Sequence, residues 1–416
     1  MKKNFPGHFQ PSKREIDRLW ENSLFTVDTN ILLNLYRYSD STRNEVLQIL
    51  KAMKDRLWLP HRAAQEYFNN RLGVISQQEK AYEEAIKTLN TLQSDLSNAR
   101  QHPFLSEKLM QKLSTVIKEV VSELGDNKDI HAKRTQGDEI QQAIGDLFNG
   151  RVGTSYSEEQ LDEICKEGDD RYNRKIPPGY KDDGKDESSS PGLAKYRKYG
   201  DLIIWKQVID KANEVKKGII FVNDDKKEDW WLIFRGKTLG PRPELISEFI
   251  EKCSQNFYMY QADRFFEFAA EHLKQKITPA SVDEIRDLSR SDLARQHKLI
   301  RLHEEEAMLR ARVHEVQERM AVSSAQKEYL QKKVTEMELW KNLSYERLAA
   351  SAGEDQESLD KFLEFKKNSE MAEMELSRLH HELAKSERDY MMSQQKLAEF
   401  RQAVEQRASK ISATLR

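Results

Sequence analysis

Four short apolar runs predict the strands of a sheet in the first two thirds of the chain. They are residues 24–27, 56–59, 218–222 and 257–260. Amphipathic stretches with the spacing of helices separate these runs. Strands that alternate with helices are typical of a parallel sheet with crossover helices. Residues 1–275 are therefore predicted to form an α/β domain.

The last third of the chain has the pattern of long helices. From Ser281 to Arg416, apolar residues recur at steps of three and four between charged residues, which predicts a coiled coil. Ser281 and Glu284 have the spacing of a capping box. The segment 351–355, which contains Gly353, is the expected turn. An antiparallel helical hairpin is favoured over 281–416, and a coiled-coil dimerisation segment is the alternative.

Two segments interrupt the predicted α/β domain. Residues 76–124 are highly charged and have helical spacing, with a break at His102 and Pro103. Residues 150–198 are rich in Gly, Ser, Asp, Lys and Pro. That composition predicts an exposed loop or a partly disordered segment.

Composition limits the classes of function. The 416 residues include 68 basic and 70 acidic ones, and this balance argues against a uniformly basic surface for nucleic acid. The apolar runs are too short to span a membrane, and no export signal is evident after Met1. Cys165 and Cys253 are isolated, so we expect a reducing, cytoplasmic location and no zinc site.

Acidic residues follow the predicted strands or begin the neighbouring helices. They are Asp28 after the first strand, Glu66 after the second, Asp224 and Asp225 after the third, and Asp201 at the start of the preceding helix. The carboxyl ends of parallel strands form the ligand crevice of such sheets, and carboxylates gathered there repel one another unless a cation binds. Oxygen ligands without nearby Cys or His select Mg²⁺ or Mn²⁺. Hydrolysis of phosphodiester bonds is the chemistry that such an ion supports best.

The order and spacing of these residues resemble those of the PIN-like nucleases. The resemblance rests on Val-Asp-Thr-Asn at 27–30, the following helical Glu, Gly-Asp at 200–201 and Asn-Asp-Asp-(x)₃-Asp-Trp at 223–230. Asp-Lys-Lys-Glu-Asp-Trp-Trp at 225–231 and Ile-Pro-Pro-Gly-Tyr-Lys-Asp at 176–182 are similar to one bacterial subgroup with a large insertion. The resemblance implies a PIN-like parallel-sheet sandwich with a helical insertion, to which an all-α coiled coil is fused.

The resemblance also implies roles for individual residues. Asp28, Glu66, Asp201 and Asp225 match the four metal-binding acids, and Asp229 matches a further ligand. Supporting roles are implied for Asn30 beside Asp28, for Asn223 as the residue that orients Asp225, and for Asp224. Asp182 and Lys185 form a candidate pair that contacts substrate or the outer shell of the site.

Several of these residues also have simpler interpretations. Asp28 and Asp201 are suited to cap helices, and Asp224 and Asp225 to form a solvated turn. Trp230 and Trp231 are expected in the core or at the rim of the site. Nearby basic residues fit either a phosphate-binding cluster or, by default, a solvated face: Lys226, Lys227, Arg235 and Lys237.

The leading hypothesis is a metal-dependent endonuclease or ribonuclease that cleaves RNA or single-stranded DNA and leaves 5′-phosphate and 3′-hydroxyl ends. Its coiled coil would form an oligomer, bind a partner or regulate activity, as in a toxin or a phage-defence effector. One alternative is a catalytically silent PIN-like RNA-binding or scaffold protein. Another is a phosphohydrolase with Asp28 as nucleophile, which is disfavoured because Asn30 stands where such enzymes have a second Asp.

Overall fold

The computed structural model describes residues 1, 4–97, 105–182, 196–350 and 356–413. Within these residues, contacts divide the chain into two units, Met1–Ala294 and Arg295–Arg416.

A four-stranded parallel sheet lies at the centre of the first unit. The strands of the chain are β1 (Leu24–Val27), β2 (Leu57–Trp58), β3 (Ile219–Val222), β4 (Trp231–Phe234), β5 (Lys237–Pro241) and β6 (Phe257–Tyr260). The sheet has the order β2-β1-β3-β6, and β4 pairs with β5 in a separate antiparallel hairpin. The predicted α/β class with a parallel sheet is confirmed, whereas the β4–β5 hairpin was not predicted.

Ten helices of the described residues belong to the α/β unit or lead to it. They are α1 (Lys13–Asn22), α2 (Thr29–Leu33), α3 (Asp40–Ala52), α4 (His61–Leu96), α5 (Glu107–Lys133), α6 (Glu139–Phe148), α7 (Glu158–Asn173), α8 (Gly200–Val215), α9 (Pro243–Cys253) and α10 (Ala262–Leu273). Short 3₁₀ turns cover Pro6–His8, Asn34–Tyr36, Lys54–Arg56 and Tyr180–Asp182. The helical insertion predicted within 76–124 is covered by the end of α4 and most of α5, and the predicted break at residues 102–103 lies outside the described residues.

A large hydrophobic core joins the sheet to its helices. All four residues of β3 are buried, as expected for a central strand covered on both faces. Trp205 on α8 is fully buried against the rings of Trp230, Phe249 and Phe257. Aromatic side chains of this size contribute strongly to core stability, so α8 and its first residues are held firmly against the sheet.

The segment 150–198 differs from the sequence prediction. Instead of one exposed loop, it contains helix α7, which begins with a capping box between Ser157 and Gln160. Tyr172 at the end of α7 stacks on Tyr199, at a distance of 5.5 Å between ring centroids. The prediction was wrong here because a capping box and widely spaced apolar residues stabilise a helix despite its charged composition. Residues 183–195 lie outside the described part of the chain.

Two long helices form the remainder of the chain, α11 (Pro279–Ala350) and α12 (Gln356–Ala413). They pack antiparallel, since Trp340 stacks near Phe365 and the Glu306 carboxylate pairs with Arg401 at 3.0 Å. The expected turn at 351–355 lies outside the described residues. None of the helices in the described ranges is long and apolar enough to cross a membrane.

The start of α11 is fixed differently from the predicted capping box. The Thr278 hydroxyl accepts a hydrogen bond from the Ser281 N–H. Glu284 instead accepts hydrogen bonds from the Ser39 N–H at 2.6 Å and from the hydroxyls of Ser39 and Thr42. Ser39 is the N-cap of α3, so the Glu284 carboxylate interacts with the positive end of that helix.

We expect Glu284→Ala to lower the free energy of unfolding by about 2 kcal/mol, because three donors at the α3 terminus lose a charged acceptor. Urea denaturation measures this change. Glu251→Ala, at an exposed position of the same unit, is the control and should be nearly neutral. Equal effects of the two substitutions would contradict the role assigned to Glu284.

Candidate active site

Asp28 lies at the carboxyl end of β1, directly beside the end of β3. Its N–H donates to the Val222 carbonyl at 2.8 Å, and its carboxylate accepts from the Asn30 side chain at 3.1 Å. Asp28 is also the N-cap of α2, so the capping interpretation and the site interpretation both apply. Only 8% of the residue is exposed.

Glu66 approaches the same region from α4. Its Oε1 atom accepts from Arg62 Nε at 2.8 Å, and its Oε2 atom lies 3.4 Å from the Thr29 hydroxyl. A Cβ atom at Gly200 would lie 2.7 Å from Glu66 Oε1. Glycine at the start of α8 thus permits this position of the Glu66 carboxylate, which a larger residue would displace.

Asp225 is held in the turn that follows β3. The buried Asn223 side chain accepts from the Asp225 N–H at 2.8 Å, and Asp225 Oδ1 accepts from the Lys227 N–H at 3.2 Å. The Trp231 indole donates to the Asp225 carbonyl at 2.6 Å. Asn223 therefore orients the backbone of Asp225, as expected for side chains that close turns of this kind.

Asp201 lies in the first turn of α8. Its Oδ2 atom accepts from the Trp230 indole at 3.1 Å. Burial raises the pKa of Asp201 well above its ordinary value; Lys227 opposes this effect, and the charges of Asp182 and Asp225 add to it. Trp230 and Trp231 are both buried, and their indole N–H groups hold Asp201 and the backbone of Asp225, respectively.

Asp229 supports the site through the backbone. Its Oδ2 atom accepts from the N–H groups of Gly179 and Lys181, both at 3.1 Å, and so fixes the turn that carries Asp182. Its Oδ1 atom is buried and has no hydrogen-bond partner among the described residues. Gly179 has a φ of +91°, and a Cβ atom there would lie 2.4 Å from the Tyr172 hydroxyl.

Lys227, which the sequence places in a basic cluster with either a phosphate-binding or a solvated role, lies among the acids. Its ammonium group lies 2.8 Å from Asp182 Oδ1, 2.8 Å from Asp225 Oδ2 and 3.9 Å from Asp201 Oδ2. Burial alone would lower the pKa of Lys227, but these carboxylates raise it above its ordinary value. The default interpretation, in which Lys227 lies on a solvated face, is wrong for this residue. Its position directly after the acidic turn is the local signal in the sequence for a place among the acids.

Two predicted supporting residues are not placed in this cluster. Asp224 accepts from the Ala262 N–H at 3.2 Å, and burial raises its pKa to about 6, with Lys226 and Asp263 as charged neighbours. Asp224 thus faces the start of α10. Lys185 lies outside the described residues. The structure gathers the other predicted residues around the ends of β1 and β3: Asp28, Asn30, Glu66, Asp182, Asp201, Asn223, Asp225 and Asp229.

The electrostatics at Asp28 differ from those around Lys227. Burial, together with the charges of Glu66 and Asp225, raises the pKa of Asp28 to about 7, against hydrogen bonds from the Thr29 and Asn30 N–H groups. A carboxylate in such surroundings favours a bound proton or a bound cation.

The ligand atoms of these residues suit a divalent cation, but the side chains are not yet arranged around a common ion position. Their ligand atoms are carboxylate and amide oxygens, which Mg²⁺ and Mn²⁺ prefer. Within the described ranges, however, no three His, Cys, Asp or Glu side chains are already arranged as a metal-binding group. Side-chain movement would therefore accompany binding of an ion.

Comparison with known proteins identifies the family of the chain. The family model of the PIN like domain matches residues 24–245, which is more than half of the chain. The chain belongs to the PIN-like domain family. The match includes Asp28, Glu66, Asp201 and Asp225, and PIN-like domains are commonly nucleases. No curated protein and no solved structure matches the chain.

The raised pKa of Asp28 predicts a pH-dependent stability in EDTA. Between its unfolded pKa of about 4 and its folded pKa of about 7, the folded chain binds the proton more tightly. The stabilisation is therefore full below about pH 4 and is lost progressively as the pH rises to about 7, by roughly 4 kcal/mol at most. Thermal unfolding at about pH 4.5 and about pH 8 measures most of this loss.

Asp28→Asn should reduce that pH dependence and should be more stable than the wild type at pH 8 in EDTA. Asp55→Asn, at an exposed position, should behave like the wild type. If the stability of Asp28→Asn changed with pH as much as that of the wild type, the pKa of Asp28 would not be raised as described above.

Proposed function

We propose that this PIN-like protein is a metal-dependent nuclease that hydrolyses phosphodiester bonds of RNA or single-stranded nucleic acid with Mg²⁺ or Mn²⁺. The observation that carries the proposal is the position of Asp28, which is buried at the carboxyl end of β1 with the charges of Glu66 and Asp225 beside it. Carboxylates buried together repel one another, and a bound divalent cation would offset that cost.

Asp28, Glu66 and Asp225 are the residues that would hold the ion. Bound there, a divalent cation supplies water activation and stabilises negative charge on the scissile phosphate. The chain itself supplies orientation: Arg62 and Thr29 hold the Glu66 carboxylate, Asn30 holds that of Asp28, and Asn223 fixes the turn of Asp225.

The β4–β5 hairpin supports a single-stranded substrate. It begins at Trp231, whose indole contacts the Asp225 carbonyl, and it carries exposed Phe234, Arg235 and Lys237 near its turn. The Arg235 guanidinium lies 5.3 Å from the centre of the Phe234 ring. An exposed aromatic ring with basic neighbours is the usual means of stacking an unpaired base and contacting its phosphate.

The helices α11 and α12 would serve oligomerisation, partner binding or regulation, and a bacterial toxin or phage-defence effector is a setting that fits a nuclease with such an arm. The second candidate function is a catalytically silent PIN-like RNA-binding or scaffold protein. The observation that favours it is the lack of a finished metal-binding group within the described ranges.

Cleavage of labelled RNA and single-stranded DNA with Mn²⁺ tests the proposal. Asp28→Asn should reduce the cleavage rate by about 100-fold or more, because the buried carboxylate is a direct ligand of the proposed ion. Asp55→Asn is the matched control and should cleave like the wild type. Binding of RNA without cleavage by the wild type would favour the scaffold function instead.

The hairpin has its own test. Phe234→Ala should raise KM for an RNA oligonucleotide by roughly 10-fold and leave kcat nearly unchanged, since one base loses its stacking partner while the proposed ion ligands are unaltered. Leu239→Ala, an exposed apolar residue of the same hairpin, is the control. Equal KM values for the two variants would remove the hairpin from the substrate-binding surface.

A further inference from the structure

The ammonium group of Lys227 lies among the acids of one half of the site. It lies 2.8 Å from one carboxylate oxygen of Asp182 and 2.8 Å from one of Asp225, with Asp201 at 3.9 Å. An ammonium has three donors and no acceptor, and two of these donors have a carboxylate oxygen within hydrogen-bond distance. Its side chain is only 19% exposed, whereas a lysine that binds phosphate on an open surface is largely exposed.

The position of Lys227 is fixed on several sides. Its own N–H donates to Asp225 Oδ1, so that backbone and side chain bracket the same carboxylate. Asp182 is held opposite by the turn that Asp229 anchors through Gly179 and Lys181. The residue is therefore built into the acidic cluster.

The cluster separates into two halves by charge. Around Lys227, the carboxylates of Asp182 and Asp225 have a cation in contact. On the other side, Asp28 is influenced chiefly by burial and by the negative charges of Glu66 and Asp225, although Arg62 pairs with Glu66. Two-metal nuclease sites place their ions roughly 4 Å apart. A second ion at the Asp182–Asp225 side would have to displace the ammonium.

We infer that Lys227 takes the place of a second metal ion, so that the site binds one divalent cation per chain, held by Asp28, Glu66 and Asp225. This inference rests on the proposed nuclease function and deepens it. Lys227 is a positioning residue: it keeps Asp225 and Asp182 in place and supplies a fixed positive charge. Its role differs from that of Lys226, which lies beside Asp224 and Asp263.

Calorimetric titration of the full chain with MnCl₂ tests this inference through the number of ions bound. The wild type should bind one Mn²⁺ per chain, and Lys227→Met should bind two, because the vacated position is then lined by carboxylates. Lys227→Arg and the neighbouring Lys226→Met are the controls, and both should bind one.

Two Mn²⁺ ions in the wild type, or one in Lys227→Met, would overturn the inference and leave the nuclease proposal intact. A wild type that binds no Mn²⁺ would overturn both, so the two failures are distinguishable.

Thermal unfolding keeps the test valid where Lys227→Met is less stable. In EDTA, Tm of this variant should fall by roughly 5 °C or more, because buried carboxylates lose their counter-charge. Mn²⁺ should restore most of that loss, and Lys226→Met should show no comparable recovery. A Tm loss that Mn²⁺ fails to restore would indicate a purely structural lysine and would contradict the inference.

Discussion

The cost of gathering carboxylates at one edge of a parallel sheet is the constraint on which the rest of this structure depends. The register that pairs Val27 with Val222 brings Asp28 and the turn of Asp225 side by side. Burial then raises the pKa of Asp28 to about 7, because each charge loses water and meets others of its sign. Such an arrangement persists only where the surrounding chain offsets it.

The surrounding chain offsets the repulsion between these carboxylates in three ways. Backbone N–H groups and indole N–H groups bind the acids, as Trp230 does for Asp201. Cationic side chains pair with them, as Arg62 does with Glu66 and Lys227 with Asp225. Close backbone approaches, such as that of Gly200 to Glu66, leave room for these contacts. The PIN-like fold thus supplies a site in which a divalent cation would complete the balance of charge.

The sequence allowed the sheet and the principal acids to be predicted because both follow from local patterns. Apolar runs mark buried strands, and the carboxylates that follow them must meet where parallel strands end. Lys227 could not be assigned in the same way, since nothing local determines whether a lysine turns inward or toward solvent. Asp182 is brought to the site by a turn that depends on Asp229, 47 residues away along the chain. Helix α7 was not predicted because its charged composition is also typical of a loop.

A crystal of the full chain grown with MnCl₂ gives the most direct test of the central claim that the acids at the ends of β1 and β3 form a metal site. Anomalous scattering locates Mn²⁺ independently of any assumption about activity. The account predicts an anomalous peak in contact with the carboxylates of Asp28 and Asp225. A map with no peak at these carboxylates, or with Mn²⁺ bound only elsewhere, would contradict it.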